Sequence, residues 1–299
     1  MSLEDPVVIT CSISGAIANR AQCPAIPYTP EEYAQEARRI VEEGGVQIHI
    51  HARKPDGTPS YEVEDFRAIS EAIRAEVGDA AIINFSTGTI GVPLAKRIEY
   101  LRACRPEVAA LNMGSMNYAK YSRSKKSFVF DMVFENPFAE IIELLEALNE
   151  LQIKPEHECF DVGHVGSLAP LIDMGVLAQP LHVDCVMGVV GGIPPSARNL
   201  AAMVENIPAG RGGGVSNHWG VIGISRAQWM LVAAALTLGG SIRVGLEDNL
   251  YMPDGEMARS NGELIAKARQ MTEDLGRRPA SVREARAMLA IPEREGSVA

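Results

Sequence analysis

The chain has 299 residues, 46% of them hydrophobic and 22% charged, a globular balance that excludes extended disorder. Lys and Arg number 28 against 38 Asp and Glu, a formal net charge of -10, so neither a nucleic-acid footprint nor attraction to an anionic membrane is expected. No apolar run reaches the ~20 residues needed to cross a bilayer, and Met1 to Pro6 lacks the basic-then-apolar order of a secretory signal.

Taken in chain order, the first strand is expected over Val7 to Ile13 and runs into the turn Ser14-Gly15-Ala16-Ile17. No GxGxxG follows it, which argues against a doubly wound dinucleotide fold. Thr29-Pro30-Glu31-Glu32 then opens a helix over Pro30 to Glu43, with an N-cap hydroxyl, proline at the first helical position and acids in the first turn. A strand over Val46 to Ala52 and an amphipathic helix over Val63 to Val77 follow, then strands over Ala81 to Ser86 and Val108 to Met113. Tyr118 to Phe134 reads as a solvated charged loop carrying Arg123, Lys125 and Lys126; an exposed Phe128 and Phe130 would instead mark a lid or a subunit contact. The second half repeats the pattern with a helix over Phe138 to Leu151 and strands over Glu156 to Asp161, Leu181 to Met187 and Val215 to Ile222. A helix over Arg226 to Leu238, a strand over Ser241 to Leu246 and a helical tail from about Gly262 to Leu289 complete it.

Most of these strands are continuous apolar runs, the pattern of strands covered on both faces. Eight βα units in about 250 residues match an α/β fold of the (β/α)8 TIM-barrel type. No Pro/Gly/Ser-rich linker divides the chain, so residues 1–299 are expected to form one barrel domain with a C-terminal helical tail. Cys11, Cys23, Cys104, Cys159 and Cys185 are dispersed, odd in number and never paired as CxxC. They read as reduced, mostly buried thiols of a cytoplasmic protein.

Barrel enzymes place their chemistry at the C-terminal ends of the strands. The polar residues there are His49 and His51, Ser86, Asn112, Glu158 with Asp161, and Glu247 with Asp248, and all are expected to converge on one mouth. His49 and His51 stand at i and i+2 of a strand and so face one side. Imidazoles in that arrangement suit a zinc-class metal, and a catalytic site of that kind has three protein ligands and an open position. Glu247 or Asp248 supplies the third, because the second and eighth strands of a closed barrel both flank the first. His164, His182 and His218 stand singly and read as hydrogen-bonded structural residues, and His157 is expected to point away from Glu158.

The segments Ser14-Gly15-Ala16, His49-Ile50-His51-Ala52-Arg53, Ser86-Thr87-Gly88, Leu111-Asn112, Gly188 to Gly192 and Ile242 to Asn249 together resemble, in matching order, the β-keto acid cleavage enzymes. The resemblance implies a zinc-dependent TIM barrel that condenses a β-keto acid with acetyl-CoA, giving acetoacetate and a new acyl-CoA, and a homo-oligomer, most simply a tetramer. It implies zinc ligation by His49, His51 and Glu247, acid/base work by Asp248 beside Arg243, and a further catalytic or pocket role for Glu158. Ser14, Ser86, Thr89, Asn112 and Ile17 match substrate-binding positions, and Gly188, Gly191 and Gly192 lie near the CoA arm, where missing side chains permit close approach.

Two departures bear on specificity. Ile17 stands where a member acting on an amino-substituted keto acid carries glutamate, and Ala110 replaces a hydroxyl residue; both changes point to an uncharged substrate tail. Rival readings are a zinc-dependent barrel hydrolase, which normally carries its His-x-His on the first strand, an acyl-CoA lyase, and a non-catalytic ligand-binding barrel.

Overall fold

The computed structural model describes residues 1–210 and 216–291. Ten strands are described: β1 (Ile9–Ser12), β2 (Gln47–Ile50), β3 (Ile82–Ser86), β4 (Val108–Asn112), β5 (Met116–Ser122), β6 (Ser127–Phe134), β7 (Lys154–Cys159), β8 (His182–Met187), β9 (His218–Gly223) and β10 (Ser241–Val244). Eight of them, all parallel, close a barrel in the order β1-β10-β9-β8-β7-β4-β3-β2, while β5 and β6 form a separate two-stranded sheet. The (β/α)8 architecture expected from the spacing is therefore present. The predicted start of the seventh barrel strand at Val215 lies outside the described residues.

Helices α1 (Pro30–Glu42), α2 (Val63–Val77), α3 (Leu94–Cys104), α4 (Phe138–Leu151), α5 (Val162–Gly166), α6 (Leu168–Asp173), α7 (Ala197–Glu205) and α8 (Gln228–Thr237) alternate with the barrel strands. The start of α1 is as its sequence dictates. The Thr29 hydroxyl accepts from the Glu32 amide, and Glu32 accepts in return from the Thr29 amide at 3.0 Å, a capping box contributing ~1 kcal/mol.

The predicted tail is two different things. Its first half, α9 (Asn261–Asp274), is the eighth barrel helix and packs beside α1 and β1. Only α10 (Val282–Met288) is a true tail. Its Ala285 and Leu289 bury Val8, Val46, Ile82 and Val108, which sit at the N-terminal ends of four strands. The helix thus closes the barrel floor, opposite the face where barrel enzymes work.

The segment from Tyr118 to Phe134 is not a solvated loop. It is an antiparallel hairpin of β5 and β6 with Tyr118 stacked on Phe130 at 6.2 Å and Tyr121 against Phe128 at 5.6 Å. Phe128 is exposed at its tip, Phe130 is half-buried, and Ala119 bridges to Val190 of another strand-to-helix loop.

A typical TIM-barrel interior is filled by branched apolar side chains. This one is polar. Alternate residues of β2, β3, β7, β8 and β10 turn Gln47, His49, Asn84, Glu156, Glu158, Asp184 and Arg243 toward one another. Direct contacts record it: Gln47 and Asn84 both donate to Glu156, and Arg243 donates to Glu158. The apolar residues of those strands, such as Ile48, Ile50 and Val183, belong instead to the core that includes the surrounding helices.

Candidate active site

The first strand explains why residues from opposite ends of the chain meet. β1 pairs with both β2 and β10, placing Ser12 level with His49 and Thr10 level with Arg243. His49 lies in β2, His51 just past its end, and Glu247 follows β10. His49 Nε2 stands 3.7 Å from Glu247 Oε2, and His51 Nε2 stands 3.4 Å from Glu247 Oε1. Gly15 fits over this carboxylate only because it lacks a side chain: at φ +60°, a Cβ would lie 2.7 Å from Glu247 Cγ.

The three residues fit a metal ion. Their donor atoms lie within 4.8 Å of one another, and two imidazoles with one carboxylate suit a zinc-class divalent cation. Glu247 Oε2 and His49 Nδ1 are buried without a hydrogen-bond partner, so the carboxylate oxygen nearer His49 is left to be satisfied by something else. Burial, with Arg243 adding to it, pushes the His49 imidazole well below its usual pKa, leaving it neutral as a ligand must be. Burial works against the charge of Glu247, but His51, Arg243 and His49 outweigh it and hold the carboxyl well below the usual range.

Beside these donors Arg243 is buried in a cage of carboxylates. Its Nε and Nη2 form a fork on Asp248, at 2.9 Å to Oδ2 and 3.0 Å to Oδ1. Nη1 donates to Glu158 Oε1 at 2.9 Å, and Nη2 also donates to Glu247 Oε1 at 2.8 Å. The Ser12 hydroxyl adds a 2.6 Å bond to Asp248 Oδ2. Burial raises the Asp248 carboxyl above its usual value although Arg243 opposes it, and holds Glu158 up at about 7.

The cavity above this cluster has a polar floor and an apolar wall. Ser86, Thr89 and Asn112 line it beside His49, Glu158 and Asp248, while Tyr61, Tyr118, Phe134, Phe160 and Val189 supply the wall. Of the residues expected at the mouth, Asp161 is elsewhere: its carboxylate caps α5 by accepting from the Gly163 amide at 3.1 Å.

Two further expectations are corrected, at Ser14 and Ala110, and two are refined, at Ile17 and the loop glycines. Ser14 does not line the cavity; its hydroxyl and that of Tyr33 both donate to the His51 carbonyl, at 3.0 and 2.7 Å, which fixes the backbone of that residue. Ile17 lines the cavity but is 56% exposed, a rim residue rather than a buried one. Ala110 is buried in β4, one strand repeat below Asn112, and does not line the cavity. The glycines Gly188, Gly191 and Gly192 are required by protein backbone. A Cβ on them would lie 2.8 Å from Ile224 O, 1.8 Å from Asn117 O and 2.7 Å from Phe160 O, so this loop is packed against its neighbours and only Val189 of the loop's first residues faces the cavity.

Sequence reasoning missed Tyr118 and Phe134, which stand at the root of the hairpin and wall the cavity. The signal was present: Phe128, Phe130, Met132 and Phe134 recur every second residue after the polar stretch Ser122 to Lys126, the pattern of a hairpin. His182 and His218, single in the sequence, bring their rings edge to face at 5.2 Å. His157 does turn away from Glu158, its Nδ1 lying 2.7 Å from the His182 carbonyl.

Comparison with known proteins agrees with this geometry. A 3-keto-5-aminohexanoate cleavage enzyme of Fusobacterium nucleatum subsp. nucleatum is 36% identical over 96% of this chain and 98% of its own. A 3,5-dioxohexanoate:acetyl-CoA acetone transferase of Paraburkholderia graminis is 35% identical over 97% of both. Among solved structures, apo ObcA superposes with a TM-score of 0.74 at 20% identity, covering 91% of this chain and 66% of that one, a likeness of fold. The beta-keto acid cleavage enzyme family model matches residues 6–291, and with relatives this similar along their whole length, the chain belongs to that family of C–C bond-cleaving, acyl-transferring enzymes.

Proposed function

We propose that this enzyme condenses a β-keto acid having an uncharged tail with acetyl-CoA, giving acetoacetate and a new acyl-CoA, and that it does so with a zinc ion held by His49, His51 and Glu247. The observation that carries the reading is the meeting of three ligand-type donors with an arginine-held carboxylate on the floor of an apolar-walled cavity. The names of the Fusobacterium and Paraburkholderia relatives support the reaction class. Bound at that donor set, zinc supplies Lewis-acid polarisation of a carbonyl oxygen.

The chain's own residues do the rest. A carboxylate offers about four acceptor positions. Three on Asp248 are occupied, two by Arg243 and one by Ser12, which leaves one on Oδ1 for a proton. Asp248 is our general base for the acetyl-CoA methyl group, and burial strengthens it by raising its pKa. Arg243, which stays charged, fixes its orientation. Glu158, near neutrality, is suited to return a proton. Ser86, Thr89 and Asn112 offer hydrogen bonds to the keto acid, and the aromatic wall excludes water from it.

The ligand set is tested by metal analysis. His49→Ala and His51→Ala are each expected to lose the zinc of this site and all turnover that depends on it, while circular dichroism stays native. Retention of that metal in both variants would remove the site from the reading.

Specificity is tested at the rim. Because Ile17 is exposed, a charge placed there is screened, and a surface pair contributes only ~0.2–1 kcal/mol. Ile17→Glu should therefore improve kcat/KM for an ammonium-bearing β-keto acid by about fivefold at most, with neutral short-chain keto acids still preferred by the wild type. A wild-type preference for the amino substrate would contradict the uncharged tail.

Assembly as a homo-oligomer, a tetramer by family resemblance, belongs to the same proposal. Val129 and Val133, each 59% exposed on one face of β6, support a subunit contact. Light scattering of the wild type against Val129→Lys/Val133→Lys should show the variant dissociating. A cytoplasmic location is supported by five free thiols, four of them buried, and among the described residues no helix is long and apolar enough to cross a membrane.

A further inference from the structure

Below Arg243, deeper in the barrel, lies a second cluster that the reaction does not use. Glu156 of β7 and His182 and Asp184 of β8 bring a carboxylate oxygen, an imidazole nitrogen and another carboxylate oxygen within 4.8 Å of one another. All three are buried, Glu156 completely. The strands place them: Glu158 pairs with Asp184, so the residues two positions earlier, Glu156 and His182, form the next layer down on the same inner face.

The separations are those of ligands around an ion. His182 Nε2 stands 3.3 Å from Asp184 Oδ2 and 3.6 Å from Glu156 Oε2. Two donors at ~2.0–2.1 Å from a tetrahedral zinc lie about 3.3–3.4 Å apart. As a direct hydrogen bond the His182 to Asp184 contact is long, against ~2.7–2.9 Å for a charge-assisted one. The pair of edges at this cluster, 3.3 and 3.6 Å, nearly repeats the 3.4 and 3.7 Å found among His49, His51 and Glu247.

Unsatisfied polar atoms gather at the same place. Glu156 Oε1 has no hydrogen-bond partner, with Arg243 Nη1 standing 3.9 Å away. Gln47 and Asn84 donate amide N–H groups to Glu156 Oε2, at 2.9 and 2.7 Å, and the buried carbonyl oxygen of Gln47 is left unpartnered. Each such group costs ~1–3 kcal/mol unless something binds it.

Charge points the same way. Glu156, Asp184, Glu158, Glu247 and Asp248 share the interior with Arg243, while Lys154, nearer the floor, donates to the Pro180 carbonyl. Carboxylates outnumber the basic groups there, and burial already drives Glu156 and Glu158 toward the protonated form; a bound cation offers the same acids a counter-charge in place of a proton. A Cβ at residue 220 would lie 2.3 Å from Asp184 Oδ1, so glycine at that position of β9 is what makes room for the carboxylate in the cluster.

We propose that Glu156, His182 and Asp184 form a second cation site, which takes a zinc-class divalent ion into the barrel core and ties β7 to β8 beneath the active site. One imidazole with two carboxylates is a mixed nitrogen and oxygen donor set, suited to zinc or manganese rather than to a thiol-seeking metal. The site makes no open mouth, so its role is to hold the interior together and to balance the charge under Arg243.

The test uses the full chain, stripped with a chelator, exposed to Zn2+ alone and dialysed, with zinc counted by elemental mass spectrometry. The wild type should hold about two ions per chain and the His49→Ala/His51→Ala double variant about one. Asp184→Asn should lose one ion while keeping the other. A wild type with a single ion that vanishes in the double variant overturns the second site and leaves the first intact. An ion that survives the double variant but is lost in Asp184→Asn supports the second site even if the wild type holds no other, in which case the zinc of the proposed reaction is what fails. Should Asp184→Asn not fold, anomalous diffraction from zinc-loaded wild-type crystals decides: a peak between His182, Glu156 and Asp184 is expected, and its absence refutes the site.

Discussion

Replacing Arg243 with methionine is expected to cost about 3–5 kcal/mol of stability in metal-free buffer at pH 8, because it leaves several buried carboxylates without their shared cation. Arg243 contacts Asp248, Glu158 and Glu247 at 2.8–3.0 Å, and methionine fills much of its volume while returning none of the charge. Against a total stability of ~5–15 kcal/mol, that loss is a large shift of the denaturation midpoint. The sign of the pH dependence follows. Glu158 already sits at about 7 by burial, with Arg243 pulling it down; removing the guanidinium lets it rise further above its value in the unfolded chain. The folded variant then binds more protons than the unfolded one, so its stability falls as pH rises through the range from the ordinary glutamate value to that raised one. Urea denaturation at pH 5.5 and pH 8 should show the variant recovering part of its deficit at the lower pH. A variant within about 1 kcal/mol of the wild type at pH 8 would mean that the cage does not depend on its arginine.

Asp248→Asn is expected to keep the fold and the ligand set and to lose ~10²- to 10⁴-fold in kcat, the usual scale for removing a general base. The amide preserves shape, but it has one acceptor oxygen in place of two and cannot take a proton at the position left open on Oδ1. It also gives up one arm of the Arg243 fork, so a modest loss of stability accompanies the loss of rate. Turnover with a panel of β-keto acids and acetyl-CoA, followed as acetoacetate, measures the effect. Near-native turnover would transfer the base role to Glu158, whose Oε1 lies on the other side of the same arginine.

The fold was legible because eight apolar runs recur at a spacing that few architectures share, and the candidate donor cluster because His49 and His51 stand two apart on one of them. Glu247 became legible only through topology: it needs β10 beside β1, and closing the ring supplies that neighbour. The hairpin was hidden by its charged turn, which drew attention away from the two-residue alternation of Phe128 to Phe134. The inner cluster was hidden for a different reason. Its residues lie on two separate strands, and the alternation within each does not say which layers of the two meet. His182 and Asp184 repeat the i, i+2 spacing of His49 and His51, yet only the register of β7 against β8 shows that Glu156 stands beside them. The glycines Gly188 to Gly192 illustrate a third limit, since a missing side chain makes room equally well for a ligand and for neighbouring backbone.

The route of the chain between His51 and Glu247 has a consequence for how the barrel holds together. Most of the described helices and strands are laid down between these two residues, yet both residues stand beside the same short strand β1. An ion gripped by both is therefore a rivet across the seam where the first and last turns of the fold meet. Bound there as proposed, it would add its binding free energy to the shut state, ~2.7 kcal/mol at a free concentration one hundred times Kd. Opening the barrel at that seam would then require the rivet to come out first.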